Sequence, residues 1–185
     1  VFLVLMLHRL GHVARIRSAM SLALFVVAGF LFVDDTDLFA LAINKDESPA
    51  QVTARMQAAV DAWHGGLHAT GGALKAAKSS WGLVAFYWEG GQWHYSTKAS
   101  LPCDLTLPNP DGKRTILTRH DPSEAINVVG VLQALDWNMT AQVEELKTRA
   151  DTWGIQIRDG WVPRNLARKA LDTMIWHSLR YPLPA

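Results

Sequence analysis

Hydrophobic positions fall into two kinds of pattern along the chain. Between residues 48 and 72 they recur at helical spacing, with Val52, Met56, Ala59, Val60, Trp63 and Leu67 following one another by three or four positions. Such a stripe lies on one face of an amphipathic helix of about five turns. Ser48 supplies a capping hydroxyl, Pro49 suits the first turn because its missing N–H has no helical partner there, and Gly71 and Gly72 supply the stop. Residues 22–33 differ. They form a continuous apolar run rich in Val and Phe, a composition that predicts a buried central strand. Residues 36–43 are again apolar and compatible with a strand, so the two segments predict a hairpin with Asp34 and Asp35 at its tip.

The remaining segments are shorter. Residues 1–10 read as the tail of a buried helix stopped by Gly11, and residues 14–21 as a short strand and turn. Residues 81–88 and 92–96 flank the tetrapeptide EGGQ, a glycine hairpin turn. Residues 101–113 contain Pro102, Pro108, Pro110 and Gly112 and read as a loop. Residues 115–118 and 125–132 read as two further strands. Beyond them the helical period returns. Asn138 or Thr140 caps a helix that carries Val143, Leu146, Ala150, Trp153 and Ile157 on one face. A last helix starts near Pro163 and turns Ala167, Ala170, Leu171, Met174, Ile175 and Ser178 inward. The order predicts an α+β chain, with a sheet-plus-helix region over residues 1–135 and a helical region over residues 136–185.

Composition refines this picture in three ways. First, 185 residues of which 49% are hydrophobic suffice for a substantial core. Second, the net charge of +1 is uninformative, but its distribution is uneven. Residues 34–61 hold six acids and two bases, residues 64–120 six bases and three acids, and residues 158–185 five bases and two acids. An acidic centre followed by basic segments suits a metal beside an anionic ligand, and it equally suits ordinary solvated surface. Third, Cys103 is the single cysteine. That excludes a disulfide framework and a cysteine zinc site, and points to a reducing, intracellular setting, cytoplasmic or nuclear. Residues 1–7 and 22–33 are apolar but shorter than the roughly 18 residues of a membrane-spanning helix, and Arg9, Arg15 and Arg17 lie between them. No membrane segment is expected. The chain opens on Val1 inside an apolar segment and reads as a piece whose upstream part is missing.

The aspartate pair carries the strongest chemical signal. Adjacent carboxylates disfavour each other's ionisation, and a divalent cation reverses that balance. Mg²⁺ takes a few carboxylate oxygens, several waters and the phosphates of a substrate. Asp37 lies two residues beyond Asp35, on the side of a strand that Asp35 shares. Turn chemistry alone also accounts for two aspartates between strands, so these residues by themselves leave both readings open.

Two families place an acidic pair after an apolar strand: the response-regulator receiver and the reverse-transcriptase palm. A receiver needs a phosphoacceptor aspartate at the end of a third strand some 40–50 residues on; residues 63–70 contain none, and the nearby Asp61 sits inside the amphipathic helix. The palm order is hairpin, helix, glycine turn, lysine, strand, hairpin, strand and helical thumb, and this chain follows it. FVDDTDL (32–38) resembles the aromatic–X–Asp–Asp tip of that family. TGGALKAAKSSWGLVAF (70–86) resembles the segment in which a glycine turn leads to a lysine and a strand, with Gly71 and Lys78 at the matching positions. Many members carry an asparagine three residues before that lysine; here the residue is Lys75. INVVGV (126–131) resembles a short strand of retroelement enzymes, and the last two helices resemble their thumb.

The resemblance, from about Leu7 onward, is to a retrotransposon-type reverse transcriptase, an RNA-directed DNA polymerase. It implies a palm-like antiparallel sheet with a packed helix and a small helical thumb-like lobe. It implies Mg²⁺ or Mn²⁺ held by Asp34 and Asp35, with Lys78 approaching the incoming triphosphate. The implied partners are an RNA template, a DNA primer and deoxynucleoside triphosphates. The family's other metal aspartate comes from an earlier strand, so the resemblance also implies a missing upstream polymerase segment and no nucleotide incorporation by these 185 residues alone. A non-catalytic nucleic-acid-binding module is the alternative, with a receiver-type phosphoacceptor behind it.

Other residues admit plainer readings. Trp88, Trp93 and Tyr95 around EGGQ suit cross-strand packing or stacking on bases. His64 and His68 stand four apart without a third ligand, as surface histidines of a helix end do. Arg158, Arg164, Arg168, Lys169 and Arg180 suit a solvated helix face or a nucleic-acid backbone. Trp137, Trp153, Trp161 and Trp176 are expected in the core of the helical region. Cys103 has no base beside it in sequence and receives no catalytic role.

Overall fold

The computed structural model describes residues 9, 11, 13–17, 21–27, 29–32, 35–109, 111–128 and 130–176, with the side chains of Phe25, Phe30, Leu31, Phe32, Asp35 and Met174 left aside. The helix expected over residues 1–10 falls almost wholly outside that set. Among the described residues the chain is mixed α and β, with three α-helices and six two-stranded sheets, five antiparallel and one parallel. It divides into two compact units, Val1–His120 and Asp121–Ala185.

The first unit opens with strands β1 (Ala14–Arg17) and β2 (Leu24–Val27), which pair antiparallel. Strand β3 (Gly29–Phe32) then pairs with β4 (Asp35–Leu38). The single strand expected over residues 22–33 is therefore two strands with different partners. Leu24 and Val26 stay exposed on a two-stranded sheet. Gly29 marks the change of partner. It lies opposite Leu38, and a Cβ there would run into the Asp37 carbonyl oxygen. Only glycine lets β3 and β4 approach at that point.

Helix α1 (Pro49–Ala69) starts as its sequence requires. The Ser48 side chain accepts from the Gln51 N–H, and the Gln51 side chain accepts from the Ser48 N–H, a reciprocal capping box. Ala59, Val60 and Trp63 are buried, with Met56 and Leu67 packed beside them. The helix ends where Gly71, at a φ of +82°, turns the chain and Gly72 donates to the Leu67 carbonyl. The core that receives α1 comes from far along the chain. Leu105, Leu107 and Leu117 cluster with Val60. Leu107 belongs to β8 (Thr106–Pro108), which pairs with β9 (Arg114–Ile116). The region expected to be loop over 101–113 thus holds a core strand. Pro108 is the last residue of that strand and closes it instead of interrupting it.

Gln57 on α1 holds that strand in place. Its Oε1 accepts from the Thr106 N–H at 2.8 Å and its Nε2 donates to the Thr106 carbonyl at 2.9 Å. One side chain satisfies both backbone groups, as a neighbouring strand would. The run 81–88 is also divided. Strand β5 (Ser80–Gly82) pairs in parallel with β10 (Thr118–His120), while β6 (Phe86–Glu89) and β7 (Gln92–Tyr95) form the expected hairpin across Gly90 and Gly91.

The second unit contains β11 (Ile126–Val128) and β12 (Val131–Gln133), a hairpin in place of one strand over 125–132. Helix α2 (Thr140–Asp159) follows, with the Thr140 N–H donating to Asn138 Oδ1 at 3.0 Å. Helix α3 (Arg164–Ala170) continues as a π-helical turn over Leu171–Ile175. On α2 the buried positions are Gln142 and Leu146; Val143 and Ala150 face solvent. Gln142 is buried because its Oε1 accepts the Leu132 N–H at 2.6 Å, tying the helix to β12. Trp137, Trp161 and Trp176 are exposed, at 86%, 93% and 59%, where a core was expected. Trp153 is half-buried. Ser178 lies outside the described residues.

Candidate functional site

The acidic hairpin is built from β3 and β4. Phe32 stands opposite Asp35, Leu31 opposite Thr36 and Phe30 opposite Asp37. Residues 33 and 34 join the strands, so the backbone on both sides has the register of a tight hairpin. Asp34 itself, and the carboxylate of Asp35, lie outside the described positions. The hairpin is anchored through Leu38, the last residue of β4, which packs against both Trp63 and the Val60 cluster. Beyond it, Arg55 on α1 ties down the returning chain. Its guanidinium donates to the Leu41 carbonyl at 2.5 Å and meets the Glu47 carboxylate at 2.7 Å. The Arg55 hydrogen bond and the Ile43 N–H lower the Glu47 carboxyl below its ordinary value.

Lys78 ends a short 3₁₀ turn (Ala76–Lys78), and Lys75 precedes it. The backbone N–H of Lys78 donates to the Lys75 carbonyl at 2.9 Å. Its side chain is exposed, and among the described residues its ammonium has no hydrogen-bond or ion-pair partner. Nothing described brings it against β4. Asp37 is exposed and engaged in a contact of its own. Among the described residues no group of three His, Cys, Asp or Glu side chains is placed to hold a metal ion.

The aromatic hairpin β6–β7 has a distinct surface. Trp88 meets Trp93 edge-on across the strands at 5.1 Å, Phe86 meets Tyr95 at 4.7 Å, and Tyr87 meets His94 at 5.5 Å. These are cross-strand pairs, as the packing reading expects. Yet every residue of both strands remains exposed, so the rings pack on one another and present their outer faces to water. His64 and His68 lie with ring centroids 6.4 Å apart at the end of α1.

One polar cluster had no signal in the sequence. Arg119 on β10 is 7% exposed, with its guanidinium 5.2 Å from the Trp81 ring centroid. Its Nη1 donates to the Leu101 carbonyl at 2.5 Å and lies 3.3 Å from Cys103 Sγ. Only the parallel pairing of β5 and β10 brings residues 81 and 119 into register. A second cluster, solvent-facing, joins Arg114 to Asp61 and Thr106.

No family model, curated protein or solved structure matches this chain. No helix among the described residues is long and apolar enough to cross a membrane.

Proposed function

We propose that this chain is the palm-and-thumb part of an RNA-directed DNA polymerase of retrotransposon type. The observation that carries the reading is the β3–β4 register, in which the backbone of Phe32 stands opposite that of Asp35 in an antiparallel pair. The following order supports it: α1, the glycine turn at Gly71, the Lys78 turn, β5, and the β6–β7 hairpin. On this reading Asp34 and Asp35 hold Mg²⁺ or Mn²⁺, which when bound lowers the cost of charge developing on phosphate. Leu38 and Arg55 hold the hairpin against α1 so that the carboxylates keep their place. Lys78 offers a free ammonium to a triphosphate. The partners are an RNA template, a DNA primer and deoxynucleoside triphosphates.

The test is primer extension on an RNA template, with Mg²⁺, by the full gene product that carries this chain. Asp34→Asn reduces incorporation to background while leaving the circular dichroism spectrum unchanged. Wild-type rates in that variant overturn the assignment.

A second reading is favoured by the exposed aromatic hairpin: a non-catalytic module that holds a nucleic-acid duplex. Exposed Trp88 and Trp93 offer faces on which bases stack, and Arg158, Arg164, Arg168 and Lys169 are exposed cations of the second unit. Salt-dependent binding of an RNA–DNA duplex, without nucleotide incorporation by the full gene product, selects this reading over the first.

A further inference from the structure

Among the described residues, Arg119 is a buried cation without a carboxylate counter-charge. A guanidinium stays ionised in any protein environment, and burial of a charge is costly unless it is paired. Among the described residues Arg119 has no carboxylate partner, and its Nε and Nη2 are buried without an acceptor. The Trp81 face and the Leu101 carbonyl offset part of the cost. Cys103 Sγ lies 3.3 Å from Nη1. Thr53 Oγ1 donates toward the same sulfur at 3.8 Å. Cys103 is half-buried.

We infer that Cys103 is a peroxide-modified position whose oxidised form is the missing counter-ion of Arg119. In the first step the sulfur attacks hydrogen peroxide. An S–O bond forms, the O–O bond breaks, and the thiol proton leaves with the released oxygen as water. Sulfur is oxidised, peroxide is reduced, and the product is a sulfenic acid. The chain holds no second cysteine, so no disulfide within it can intercept that species. A second peroxide adds another oxygen in the same way, releases another water and gives a sulfinic acid, which loses its proton to solvent. The resulting anion carries two acceptor oxygens on the atom that already lies 3.3 Å from Nη1. A charge-assisted pair replaces an isolated charge. This inference is independent of the polymerase reading and survives its failure.

The experiment treats the 185-residue chain with hydrogen peroxide in the absence of thiols, and follows the Cys103 peptide by mass spectrometry. Wild type accumulates the two-oxygen adduct at Cys103. Arg119→Gln, shown folded by circular dichroism, oxidises there about tenfold more slowly, the effect of losing one charge-assisted contact as negative charge builds on the sulfur–oxygen unit. Because Arg119→Gln risks misfolding, wild type supplies a second readout. Its melting midpoint rises by about 5 °C after oxidation, whereas Cys103→Ser, carrying the same methionine oxidation, shows no rise. Equal rates in folded Arg119→Gln, or a midpoint that falls or stays level in oxidised wild type relative to oxidised Cys103→Ser, overturns the inference.

Discussion

Helices α1 and α2 are nearly equal in length, 21 and 20 residues, and both carry apolar side chains at helical spacing. They are used differently. Helix α1 buries Val60 against Leu105, Leu107 and Leu117, which lie about 40–60 positions downstream, and Trp63 against Val13, Leu38 and Leu74. Helix α2 buries Leu146 and one polar residue, Gln142, and leaves Val143 and Ile155 in solvent. Its ends are flanked by Trp137 and Trp161, both at positive φ, +64° and +50°, and both exposed. A large side chain in that backbone region is strained and packs against nothing on the described surface of its unit. A periodic stripe thus becomes a core only where distant strands supply a second layer. Where they do not, one buried glutamine fixes the helix through a backbone hydrogen bond.

The sharpest way to break this contrast is to remove a tryptophan from each region. Trp63 is 2% exposed, so Trp63→Ala costs about 3–5 kcal/mol of unfolding free energy, the transfer and cavity loss of a buried ring. Trp161→Ala changes stability by no more than about 0.5 kcal/mol. Urea unfolding of both variants decides it; equal costs mean that the second unit has a core of its own around Trp161.

The two glutamines give the next largest effect. Gln142→Ala leaves the Leu132 N–H without its acceptor and costs about 1–3 kcal/mol, by the same measurement. Gln57→Ala falls at the lower end of that range, because Gln57 is only half-buried and water replaces part of what it gave Thr106. A larger loss at Gln57 than at Gln142 reverses the ranking of the two anchors.

Removing the start signals comes third. Ser48→Ala destroys a reciprocal capping box and costs about 1 kcal/mol. Asn138→Ala, which removes a contact to Thr140 alone, costs less. Hydrogen exchange at the first turn of each helix separates the two, with the greater loss of protection at α1.

The smallest effect is a pH dependence confined to the first unit. Glu47 is held below its ordinary value by Arg55 and the Ile43 N–H. Its folded-state value lies below its unfolded one, so its contribution is full above the ordinary carboxylate range and is lost as pH falls through the lowered value. Urea midpoints of wild type and Glu47→Gln therefore differ at neutral pH and converge in acid. A gap that widens on acidification contradicts the assigned direction.

Local chemistry was legible without coordinates. Ser48, Pro49, Gly71 and the apolar stripe between them determined α1 from cap to stop. EGGQ determined the β6–β7 turn, and the run ending in FVDD the hairpin that follows it. These features act within a few residues, through backbone sterics and neighbouring donors and acceptors, so adjacent letters suffice to specify them. The strand around Leu107, the splitting of the runs 22–33 and 81–88, and the burial of Gln142 were decided only by the tertiary structure. Each depends on which distant segment pairs with or covers it, and an isolated apolar run carries no record of its partner. Arg119 is the clearest case. By sequence it is one base among several; the parallel pairing of β5 with β10 carries its charge into the interior beside Trp81 and Cys103, where low dielectric and the absence of a carboxylate partner among the described residues make that charge matter.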